Sequence, residues 1–158
     1  MGPNPTDRGK KGTKKSILVE ADGGPLGVVI AGANVPDFTL LGETIEAVVV
    51  ERPDPERVEQ HLSLDAGYDN APAREVVERH GYVGHIRPAR EGPRPGRRPG
   101  RRKARRWVVE RTLSWLSKCR GLLVRYEKHW ENCLGLIQLA CGLLWYRRLH
   151  RLKRASGY

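Results

Sequence analysis

A mixed α/β domain is predicted by three features of the chain. KSILVEADGGPLGVVIAGAN holds two β-rich runs around Asp22, Gly23 and Gly24, a strong hairpin signal. HLSLDAGYDN, APAREVVERHG and YVGHIRP read in turn as strand, helix and strand, which implies a parallel, right-handed crossover. Two helical stretches, about 104–118 and 129–149, close the chain. A length of 158 residues allows one domain with one modest core. With 39% hydrophobic and 30% charged residues, a wholly disordered chain is excluded.

Each element has a local reason. Residues 1–13 are Gly, Pro, Asn and Lys without periodicity and read as an N-terminal arm. The two glycines after Asp22 belong to the hairpin turn rather than to a phosphate cradle, because no helix follows them. DFTLLGETIEAVVV places Leu40, Leu41, Thr44, Ile45 and Val48 at helical spacing, and ERPDPERVEQ reads as an acidic surface loop. Leu62 to Leu64 form a short buried strand that stops at Asp65, and Gly81 stops the following helix. The Pro/Gly/Arg tract at 89–103 supports neither helix nor central strand and reads as a loop. The second closing helix is apolar on most faces, which predicts a buried helix. Residues 150–158 form a basic tail.

Charge is concentrated. Between Arg87 and Lys128 stand 15 Lys/Arg against Glu91, Glu110 and Glu127, so this stretch carries the whole net charge of +11. Such a block predicts a polyanion-binding surface, with nucleic acid ahead of membrane or acidic protein. Cys119, Cys133 and Cys141 make no CxxC pair, so packed, reduced thiols are expected rather than zinc. The apolar run LGLIQLACGLLWY, at 134–146, is too short to span a bilayer and the N-terminus is polar, which together predict a reducing cytoplasm and no membrane partner.

Two carboxylates draw attention. Asp65 follows an apolar strand directly, so it emerges at the C-terminal end of a parallel strand, where sites of open α/β sheets lie. Glu110 is the only acid between Gly92 and Tyr126. On a helical wheel with Val109 at the centre of the core stripe, Glu110 falls at its margin, about 100° away. An Arg106–Glu110 pair at i, i+4 is the plain structural use, weak in this orientation; a loop or cap role is the plain use of Asp65. A strand-end and a helix carboxylate can instead converge on divalent metal, and two-metal sites drive in-line phosphodiester displacement.

GPNPTDRGKKGTK, LDAGYDN and RRWVVERTLSWL resemble segments of bacterial DDE transposases, in the insertion-sequence groups numbered four and five. The likeness runs from about Gly2 to about Tyr146. It implies a ribonuclease-H-like mixed sheet with flanking helices over 14–149, two Mg²⁺ ions and cut-and-paste phosphoryl transfer at insertion-sequence ends. By position Asp65 matches the second acid of the catalytic triad and Glu110 the third, both as metal ligands. Arg106 matches the arginine of the family's Tyr, Arg, Glu, Lys signature. Lys103 stands at the tyrosine position and Ser117 at the lysine position, with Lys118 one residue later.

The family's first acid lies on a central first strand upstream of GPNPTDRGKKGTK. Asp7, Asp22 and Asp37 occupy no such position, so the resemblance implies a partial domain lacking that strand and inactive alone. The two-metal site would then be complete only with a third carboxylate, from an upstream transposase fragment or a second copy of the chain. The expected partner is DNA, bound through Arg97, Arg98, Arg101, Arg102, Lys103, Arg106 and Lys118, in a bacterial, nucleoid-associated setting. A non-catalytic DNA-binding remnant or regulator of transposition is the alternative. An unrelated basic RNA- or DNA-binding module leaves the contexts of Asp65 and Glu110 unexplained. His61, His80 and His85 show no metal-ligand spacing and read as satisfied or exposed side chains. Trp107 and Trp115 read as core, with base stacking by Trp107 the other use.

Overall fold

The computed structural model describes residues 1–5, 8–86 and 106–156. Its first sheet runs in the order β1 (Gly2–Pro3), β2 (Lys11–Val19), β3 (Pro25–Gly32), all antiparallel. The N-terminal segment is therefore not a plain arm: Gly2 pairs with Gly12 and Pro3 with Lys11, adding a short edge strand to the hairpin. The hairpin turn forms where its sequence predicts. Gly23 takes φ +92°, a left-handed backbone that glycine adopts at little cost. Glu20 accepts backbone N–H bonds from Asp22 at 2.9 Å and Gly24 at 2.7 Å.

A second sheet pairs β4 (Gln60–Leu64) with β5 (Tyr82–Ile86) in parallel, with His61 opposite Val83 and Ser63 opposite His85. Between them runs α2 (Ala71–Arg79). Asn70 caps it by accepting from Ala73 N at 2.9 Å, and Gly81 ends it at φ +69°. This is the strand–helix–strand unit read from the sequence. Among the described residues the two sheets share no ladder and β4 pairs with β5 alone.

Helices cover both faces of the hairpin. Leu18 and Ile17 point oppositely, as alternation requires. Leu18 joins the cluster of Leu41, Ile45, Leu62, Ala73 and Val77, built by α1 (Leu41–Glu46), α2 and β4. Ile17 joins the cluster of Val28, Leu116, Cys133, Ile137, Ala140 and Cys141, built with α3 (Arg106–Ser117) and α5 (Trp130–Ala155). A short α4 (Arg120–Leu123) links those two helices. The arrangement is a mixed α/β fold whose hairpin lies between two separate apolar clusters.

Two sequence expectations need correction here. The last helix continues to Ala155, so most of the expected basic tail is helical. It is also not buried on most faces. Cys133, Ile137, Ala140 and Cys141 pack inward, while Leu139 is 70% and Leu149 53% exposed. One side of α5 meets the hairpin and α3; its apolar character does not mark which faces are covered.

Candidate nucleic-acid interface and carboxylates

Asp65 follows Leu64 at the C-terminal end of the parallel strand, as predicted, and is exposed. One carboxylate oxygen accepts Gly67 N–H at 2.8 Å, capping a 3-10 turn over Ala66–Tyr68. A carboxylate has two oxygens and about four acceptor sites, so this cap leaves coordination capacity. The turn carries Tyr68 back toward Asp37. Burial pushes the Tyr68 phenol up to about 12, and the charges of Asp37 and Asp65 add to the shift. Asp37 in turn pairs with Lys14 of β2 at 3.2 Å.

Glu110 lies on α3 and is exposed. The wheel centred on Val109 misplaces the core stripe. Val108, Thr112 and Leu116 are the buried residues, and they lie about 120–160° from Glu110. The reason is Thr112, whose hydroxyl donates to Gly23 O at 2.7 Å and so enters the core with its polar atom satisfied. Arg111 also donates to the carbonyl of Asp22. The residues flanking Glu110 thus grip the turn that follows Val19.

The donor chemistry of Asp65 and Glu110 suits a hard divalent ion, since both groups are exposed carboxylates. Among the described residues no group of three or more His, Cys, Asp or Glu side chains is arranged to hold a metal ion.

A separate feature is an open cleft of about 1000 Å³ between the hairpin turn, α3 and α5. Its wall combines aromatic faces with guanidinium groups. Arg111 lies 4.7 Å from the Trp107 ring centre, Arg147 5.4 Å from Trp115, and Arg148 5.2 Å from Trp145. Trp145 is anchored by its indole N–H on Pro25 O at 2.7 Å. Arg148 is engaged by the carboxylates of Glu20 and Asp22. Trp107 is 48% exposed, so it is not the core residue the sequence suggests; Trp115 does pack against the first cluster.

Arg111, Arg147 and Arg151 line this cleft, and the sequence reading misses all three. Arg147 and Arg151 carry a signal in their i, i+4 spacing within RRLHRLKR; Arg111 carries none. Of the basic residues that the sequence does single out, Lys118 is exposed just past the end of α3. Arg97, Arg98, Arg101, Arg102 and Lys103, with the loop at 89–103, lie outside the described residues, as does the side chain of Arg106. The three thiols are free, with Cys133 and Cys141 buried; burial pushes the Cys141 thiol up to about 11. No helix among the described residues is long and apolar enough to cross a membrane.

Comparison with known proteins bears on what this surface serves. Residues 2–145 match the family described as the transposase DDE domain. A Burkholderia cepacia protein named as a transposase for insertion sequence element IS402 is 35% identical over 153 residues, which cover 95% of this chain and 70% of that protein. No solved structure matches the chain. DDE transposase domains generally use divalent metal and act on DNA. On a match that takes in both LDAGYDN and RRWVVERTLSWL, the chain belongs to the DDE transposase family.

Proposed function

We propose that this chain serves DNA transposition at insertion-sequence ends, with Asp65 and Glu110 as carboxylates for Mg²⁺ and the basic surface as the seat of the DNA backbone. The carrying observation is the family match across both carboxylate motifs, one ending a parallel strand and the other on a helix over the hairpin. Bound metal would activate the attacking oxygen and stabilise the leaving one. The protein's own part is positioning. Arg97, Arg98, Arg101, Arg102, Lys103, Arg106 and Lys118 hold phosphates, while Trp107, Arg111, Arg147 and Arg151 offer a stacking and cationic wall to an exposed nucleotide. A ribonuclease-H-like sheet and a third carboxylate, from an upstream transposase fragment or a second copy, complete the reading.

A second reading is a non-catalytic binder that occupies element ends, since the aromatic and cationic cleft could hold DNA without any metal. Cleavage of end-containing DNA with Mg²⁺, measured beside DNA binding, separates the two. On the first reading, Asp65→Asn and Glu110→Gln each lower cleavage at least ~100-fold while leaving affinity within about twofold, as removal of a metal ligand with every phosphate still held requires. Binding without cleavage, with or without an added upstream fragment, supports the second. Neutralising Arg97, Arg98, Arg101 and Arg102 should flatten the slope of log affinity against log salt by about 0.9 for each phosphate no longer neutralised.

A further inference from the structure

We propose that His61 and His85 form a two-imidazole site for a borderline divalent transition metal, of which Zn²⁺ is the type, on the outer face of the β4–β5 pair. Strand alternation creates it. Leu62 turns into the second core cluster, so His61 and Ser63 turn outward, and the parallel register sets His85 opposite Ser63. The two rings then stand with centroids 5.0 Å apart and planes tilted by 40°. His85 Nε2 faces His61 Nδ1 at 3.0 Å.

Protonation follows from the third member. Glu59 Oε1 lies 3.1 Å from His61 Nε2. An ionised carboxylate only accepts, so Nε2 carries the proton and the lone pair of neutral His61 sits on Nδ1, toward His85. Without metal, His85 Nε2–H donates to that lone pair. When the His85 proton moves to Nδ1, two lone pairs converge. Zinc–imidazole bonds are ~2.0–2.1 Å, so tetrahedral ligand nitrogens lie ~3.3 Å apart. The rings need to part by a few tenths of an ångström and to turn so that both lone pairs aim at one point beside the N···N line. A ligating histidine whose other nitrogen donates to a carboxylate is the usual supported form, and Glu59 supplies that support to His61. Imidazole pairs favour Zn²⁺, Ni²⁺ or Cu²⁺ over Mg²⁺, so this site is chemically distinct from one built on Asp65 and Glu110. Because no described cluster reaches three such side chains, water fills the remaining positions.

Both histidines are exposed, so their replacement leaves the core intact. The test is titration of the purified full chain with Zn²⁺ alone against a chromophoric indicator, with 10 mM-scale Mg²⁺ present. The expected result is one Zn²⁺ per chain that Mg²⁺ does not displace. His61→Ala and His85→Ala should each weaken it more than tenfold, and Glu59→Gln by about tenfold, as for an outer hydrogen-bond partner. Zn²⁺ should also raise the thermal midpoint of the wild type and not of either histidine variant, since the bridged strands bind metal only when folded. Absence of binding, binding unchanged by either histidine substitution, or binding abolished by Cys119→Ser instead, would overturn the proposal.

Discussion

Thr112 decides how α3 sits. A wheel that counts only apolar residues puts Val109 at the centre, whereas the buried line runs through Val108, Thr112 and Leu116. A hydroxyl bonded to a turn carbonyl is legible only once the hairpin is known to lie beneath it. Thr112→Val keeps the shape and removes the bond to Gly23 O, with an expected cost of about 1–2 kcal/mol in urea unfolding. Glu20 offers a pH-dependent counterpart. Burial alone would raise its pKa, but the N–H groups of Asp22 and Gly24 and the Arg148 guanidinium more than offset that, and the net shift is downward from 4.5. A depressed folded pKa means stabilisation that is present above 4.5 and lost as pH falls through the folded value. Urea midpoints should therefore separate wild type from Glu20→Gln at pH 6, and the gap should close as acidification passes through the lowered folded value. A gap that persists in acid would show that Glu20 acts through packing alone.

At the scale of elements, legibility follows local chemistry. The hairpin turn, the cap at Asn70 and the stop at Gly81 are written in residues whose backbone preferences act within a few positions. The β1 pairing is not legible, because two residues carry no periodicity and owe their place to β2. The last helix shows the opposite failure. Its apolar residues are real, but apolarity gives no direction when it runs round the helix, so the covered face is set by the rest of the fold. Ile137 is fully buried against the hairpin side, while Leu139 is 70% exposed two residues away. Ile137→Ala should cost about 2–5 kcal/mol, as for cavity creation, and Leu139→Ala under about 0.5 kcal/mol. Equal costs for the two, by chemical denaturation, would mean that the outer face of α5 is covered as well.

For the whole molecule, the sequence makes the α/β class and the family legible, since both rest on short motifs. The relation of Asp65 to Glu110 is not legible, because it depends on how α3 docks across β2, and no local signal sets that. The docking has a consequence for cooperativity. One apolar cluster ties α3 and α5 to the hairpin, and the other ties α1, α2 and β4 to it. They meet across the two faces of β2, where Ile17 serves one and Leu18 the other; α1 adds a Thr44–Ser16 hydroxyl bond of 2.7 Å on the Leu18 side. Among the described residues no backbone ladder joins the two sheets. Sub-global opening is set by the interactions a unit must break, so the β4–α2–β5 unit should open without unfolding the rest. Val77 is 2% exposed in the second cluster, and Val77→Ala should speed amide exchange in Gln60–Leu64 and Ala71–Arg79 at least tenfold more than in Trp130–Ala155. Ile137→Ala should reverse that order. Exchange that rises equally throughout for both variants would show a single cooperative unit, with β2 transmitting the disruption of either cluster to the other.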